Sequence, residues 1–106
     1  MDIKEVLDGI KDESLKAIKE EFKELLETGK KDKEDFVKRS AQEIEKALIY
    51  QAQGLLDADD VATLLRKQKK IAQIEVRNAK IQTLSRIQKI TYRLLDIAID
   101  VLVKAI

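Results

Sequence analysis

The chain has 106 residues, with 21 Lys and Arg against 20 Asp and Glu, and it is 44% hydrophobic but only 4% aromatic, with no proline, cysteine or histidine. Ala, Glu, Lys, Leu and Arg make up about half of it, the composition of long helices and coiled coils. Absence of His and Cys excludes serine triads with a histidine base, cysteine nucleophiles, imidazole metal sites, zinc ribbons and any disulfide framework.

Three helices are predicted in one domain spanning 1–106. The first, about 2–28, opens at Asp2, which has an acid three residues later at Glu5. That pattern suits an N-cap, because carboxylates there accept from unpaired amides and favour the positive end of the helix dipole. Ile3, Leu7, Ile10, Ile18, Phe22 and Leu25 recur at helical period along it. Gly9 is a weak point, costing about 1 kcal/mol relative to Ala. Gly29 stands where a left-handed residue would end the helix.

The second helix, about 32–54, starts at Asp32 with Asp35 behind it and stops at Gly54, with Val37, Ala41, Ile44, Leu48, Ala52 and Leu55 as its apolar face. Leu55 is placed to make the apolar contact that accompanies a glycine stop. The third, about 57–106, starts at Asp57 with Asp60 behind it and contains neither glycine nor proline. Unbroken, it would be roughly 75 Å long at 1.5 Å per residue.

The apolar pattern of this third helix changes direction partway along. Leu64, Ile71 and Ile74 define one azimuth, then Ile81, Leu84, Ile87 and Ile90 follow at intervals of three. Each such step turns the stripe back by about 60°, so Leu94, Ile97, Val101 and Leu102 emerge on a nearly opposite face. With short connections favouring antiparallel neighbours, the first two helices flank 58–82. The remainder, apolar around most of its circumference, is left uncovered. Ile87, Ile90, Leu94, Ile97, Val101 and Leu102 are therefore predicted to form a homo-oligomer interface with coiled-coil-like packing. The alternative is a break near Thr83 and Ser85, with the last segment folding back to complete a four-helix bundle.

No secretory signal is expected, since "MDIKEVLDGI" lacks a basic and a continuous apolar region, and a cytoplasmic location is expected. No window reaches the roughly 18 uncharged apolar residues of a membrane span. The nearest, "YRLLDIAIDVLVKAI", is interrupted by Arg93, Asp96, Asp100 and Lys104, which lie within about 80° of one another as one narrow polar stripe.

Candidate chemistry is sparse. Glu20 with Glu21, and Glu43 with Glu45, sit too close in sequence for their side chains to converge on a helix, so a solvated face is expected. "DADD" at 57–60 fails as a calcium loop: Val61, Ala62 and Gln68 fall where an oxygen ligand, a glycine and a glutamate are needed. Isolated glycines exclude a phosphate loop. Neither a cofactor nor a metal is expected.

Charge is segregated: residues 1–60 carry 17 acids and 11 bases, and 61–106 carry 3 acids and 10 bases, giving −6 and +7. The acidic helices are expected beside the basic start of the third helix. In "RKQKKIAQIEVRNAK", Arg66, Lys70, Arg77 and Lys80 share one azimuth and could contact phosphates. Arg86, Lys89 and Arg93, however, lie on nearly the opposite side, so the basic face turns with the apolar one, as a solvated back surface would.

The expected function is non-enzymatic: a structural or assembly protein associating with itself or docking to a larger protein. In size and style it is like small accessory proteins of phages and bacterial operons. The alternative is a nucleic-acid-binding or regulatory module using residues 66–80.

Overall fold

A computed structural model describes residues 1–106 and shows an all-helical chain without strands. It contains α1 (Ile3–Asp8), a 3-10 turn (Glu13–Leu15), α2 (Lys16–Lys30), α3 (Asp35–Ala52) and α4 (Ala58–Asn78). The final helix, α5, begins with Ile81–Arg86 and ends with Val103–Ala105. Between them lie two π-helical segments, Ile87–Tyr92 and Ala98–Leu102, separated by Arg93–Ile97.

The expected first helix is two helices with a corner. Asp2 caps α1, accepting from the Glu5 amide at 2.9 Å, but α1 stops at Gly9. The chain then turns so that Ile10 enters the core. A second start signal, Asp12, accepts from the Ser14 amide and hydroxyl at 3.0 and 2.7 Å. Lys19 reaches back to the carbonyls of Leu7 and Ile10 at 3.4 and 2.7 Å. These part-buried helix-end acceptors therefore gain a cationic donor from the next helix.

Gly29 does not end α2 by a left-handed turn, since Gly54 is the only residue with positive φ. Its role is close approach. A Cβ there would sit 3.0 Å from Ala41 Cβ and 3.2 Å from Ile90 Cγ2, so its hydrogen lets α2, α3 and α5 meet. Asp32 likewise does not cap α3. It accepts from the Glu34 amide at 2.8 Å in the connecting turn, and α3 begins three residues later.

The junction between α3 and α4 is locally encoded. Gly54 adopts φ +78, with Gly54 N–H donating to Gln51 O at 3.0 Å and Leu55 N–H to Tyr50 O at 2.9 Å. That pairing is the Schellman pattern. Leu55 stays 66% exposed, and Leu56 turns inward instead. Asp57 accepts from the Asp60 amide at 2.8 Å and Asp60 accepts from the Asp57 amide at 3.3 Å, a complete capping box.

The expected helix over 57–106 is broken at Ala79 and Lys80, where ψ is 146 and 155. The chain folds back four residues earlier than the Thr83 to Ser85 alternative. Its longest dimension is 39 Å, about half that of the unbroken helix. Burial drives the fold-back: Ile87, Leu94, Leu95, Ala98 and Leu102 are fully buried, and Ile90, Ile97 and Val103 nearly so. Each large side chain contributes roughly 1.5–3 kcal/mol, against about 1 kcal/mol for each helical hydrogen bond given up at the break.

α5 is the central helix, packed against α2, α3 and α4. A helix surrounded by three others must be apolar around most of its circumference. Its narrow stripe of Arg93, Asp96, Asp100 and Lys104 supplies the remaining, wetter side. The π-helical segments, with their wider i to i+5 bonding, coincide with the residues that face several neighbours, among them Ile87, Ile90, Thr91, Ala98 and Leu102. The intervals of three thus carry the chain from the exposed corner at Ile81 into a core at Ile87 and Ile90.

Candidate functional site

The face predicted to join chains is occupied within the chain. Ile87, Ile90, Leu94, Ile97 and Leu102 are buried, and Val101 is half-buried against the same core. α2, α3 and α4 together cover this face.

The charge asymmetry is partly spent in the same way, but on α5 and not on α4. Arg86 grips Asp32 through two bonds, Nε to Oδ2 at 3.2 Å and a terminal nitrogen to Oδ1 at 2.8 Å. Arg93 holds Glu21 at 2.7 and 2.8 Å. α3 does lie beside α4, the basic start of the expected third helix, but the Asp32 and Glu21 ion pairs are made with α5. Lys69 is the one basic residue of α4 in an ion pair, and its partner is Asp96 of α5 at 3.0 Å.

These pairs shift acidity. Hydrogen bonds from Arg86 hold the Asp32 carboxyl below its ordinary value, with burial opposing and the Glu34 amide assisting. A depressed carboxylate stabilises the fold above its unfolded pKa, and that stability is lost as pH falls through its folded value. Arg86→Gln should raise the Asp32 pKa toward normal and move acid unfolding to higher pH, in the range below about pH 4. Carboxyl NMR and an acid titration by circular dichroism check both. An unchanged Asp32 titration would exclude the bidentate pair.

Arg66, Lys70, Arg77 and Lys80, the candidate phosphate contacts, are all exposed and none is in an ion pair. Lys67 is in the same condition. No group of acidic side chains converges as a metal set, and "DADD" serves as the cap of α4.

The outer face of α4 carries what the pattern of apolar residues did not reveal. Leu64 is 48% exposed, Ile71 42% and Ile74 59%. The inward residues are instead Val61, Ala62, Leu65 and Ala72. Leu64 and Ile71 wall a groove of about 480 Å³ between α3 and α4. Its floor is Ile44, Ala47 and Leu65, its opposite wall Tyr50, and its rim holds Lys46, Lys67 and Glu43. Lys46 stands over the Tyr50 ring at 5.6 Å. Beneath, Gln68 donates to the buried Ser40 hydroxyl at 2.9 Å, fixing the two helices in register.

The signal that could have located this face is the presence of two apolar stripes on one helix. One of them, Val61, Ala62, Leu65 and Ala72, turns inward, which leaves the other outside. No helix is long and apolar enough to cross a membrane. No protein-family model matches the chain, and no curated protein or solved structure matches it either.

Proposed function

We propose that the protein is a non-enzymatic assembly module that works by docking to another protein through the outer face of α4. One observation carries this: Leu64, Ile71 and Ile74 stand exposed in a row on a chain that buries its other apolar stripes. Exposed apolar rows rimmed by polar side chains mark interaction sites. Because α5 is consumed internally, association moves from that helix to α4.

A photo-crosslinking residue replacing Ile74 in the source cell should yield a discrete protein adduct. The same residue at the exposed Gln88 of α5 should yield none. Equal labelling at both positions, or none at either, overturns the proposal.

The second function to test is nucleic-acid binding through Arg66, Lys70, Arg77 and Lys80, favoured by their exposure and lack of ion partners. It requires a salt-dependent shift of a labelled duplex or RNA that is lost in Arg66→Glu and Lys70→Glu.

A further inference from the structure

We propose that the groove between α3 and α4 receives an acidic amphipathic helix of a different protein, an inference that rests on the docking function above. The spacing is the first argument. Leu64, Ile71 and Ile74 are separated by seven and three residues, the 3.5-residue repeat of a seam between two helices. They span about 15 Å of α4, three turns, and the row runs past the groove at its Ile74 end. An elongated apolar ligand fits this better than a compact one.

Charge selects the occupant. At 100° per residue Lys67 falls within the row of Leu64, Ile71 and Ile74 and Lys70 stands beside it, with Glu75 at the Ile74 end, whereas Arg66 and Lys69 point away from it. Neither Lys67 nor Lys70 has an ion partner, and across the groove Lys46 adds another cation. Glu43 is the sole acid lining it. A helix with Leu or Ile along one seam and Glu or Asp beside it would engage both the row and the bases, in the helix-in-groove mode of recognition.

Other occupants use less of what is present. In a second copy laid on the same face, antiparallel, Lys67 and Lys70 of both chains meet at the dyad, and a parallel pairing sets like against like along the whole seam. RNA or DNA would use the bases and leave Leu64, Ile71 and Ile74 idle. A lipid surface needs a projecting apolar face, whereas Ile44, Ala47 and Leu65 lie at the bottom of a concavity.

The test uses the full chain and two designed peptides of about 21 residues, the length of α4. Both carry the same heptad of Leu and Ile, one flanked by Glu and the other by Lys. By fluorescence anisotropy the Glu peptide should bind about tenfold or more tightly than its Lys twin, the size expected of a few rim ion pairs. The preference should weaken with salt. Lys67→Glu with Lys70→Glu should reverse it, and Ile71→Ser should weaken both peptides. All three residues are exposed, and circular dichroism verifies that the variants fold.

Equal affinity for both peptides overturns the acidic partner. So does concentration-dependent dimerisation abolished by Ile71→Ser, or binding of RNA or anionic vesicles that outcompetes the Glu peptide. If neither peptide binds while the Ile74 crosslink still forms, docking stands and the acidic helix falls. If the crosslink also fails, the docking function itself falls.

Discussion

Replacing Leu94 with aspartate is expected to abolish the folded state at 25 °C. Leu94 is fully buried at the middle of α5, with its Cδ1 lying 3.7 Å from where a Gly29 Cβ would be. The substitution forfeits roughly 1.5–3 kcal/mol of burial and places a carboxylate in the apolar core, a penalty of several kcal/mol more. Against a total of about 5–15 kcal/mol for an ordinary domain, that is enough to shift the equilibrium to the unfolded chain. Val101→Asp, at a half-buried position, should cost distinctly less. Circular dichroism and urea titration check both. A Leu94→Asp protein that kept its helices and merely changed from oligomer to monomer would show that α5 faces another chain and not its own core.

What could be read in advance, and what could not, follows the range of the deciding interaction. Gly54, Asp57 and Asp60 were legible because a Schellman turn and a capping box are settled by bonds within six residues. The corner after α1 was only half legible. Gly9 marks it, but the cation that satisfies its carbonyls comes from Lys19, on the next helix. The fold-back at Ala79 and Lys80 left no local trace, since both residues are good helix formers and the break follows from burial of side chains 8 to 24 positions further on. The outer stripe of α4 reads as inward from the sequence because its large apolar residues recur at helical period beside two short connections. In the folded chain the stripe of Val61, Ala62, Leu65 and Ala72 turns inward instead. The candidate docking face was thus hidden by the same long-range event that buried the expected one.

Two proline substitutions separate the possible courses of residues 78 to 86. Lys80 has φ −65, which matches the angle a pyrrolidine ring imposes. Its amide donates no hydrogen bond within the chain. Ala79 before it is already extended at ψ 146, the conformation that a following proline demands. Lys80→Pro therefore removes nothing from the native state and restricts the unfolded one, so it should be neutral or stabilising by about 0.4–1 kcal/mol. Leu84 is different: its amide donates to Lys80 O at 2.8 Å, the first bond of α5. Proline there loses that bond, drives its ring toward the Lys80 carbonyl and disfavours the helical angles of Thr83, at a cost of about 3 kcal/mol or more. Urea titrations of the two variants should differ by at least that amount. A continuous helix over 57–106 would make both substitutions costly, and a break at Thr83 to Ser85 would make Leu84→Pro the tolerated one. Only a chain that turns at Ala79 and Lys80, sending Ile87 and Ile90 into its own core, accepts proline at 80 and rejects it at 84.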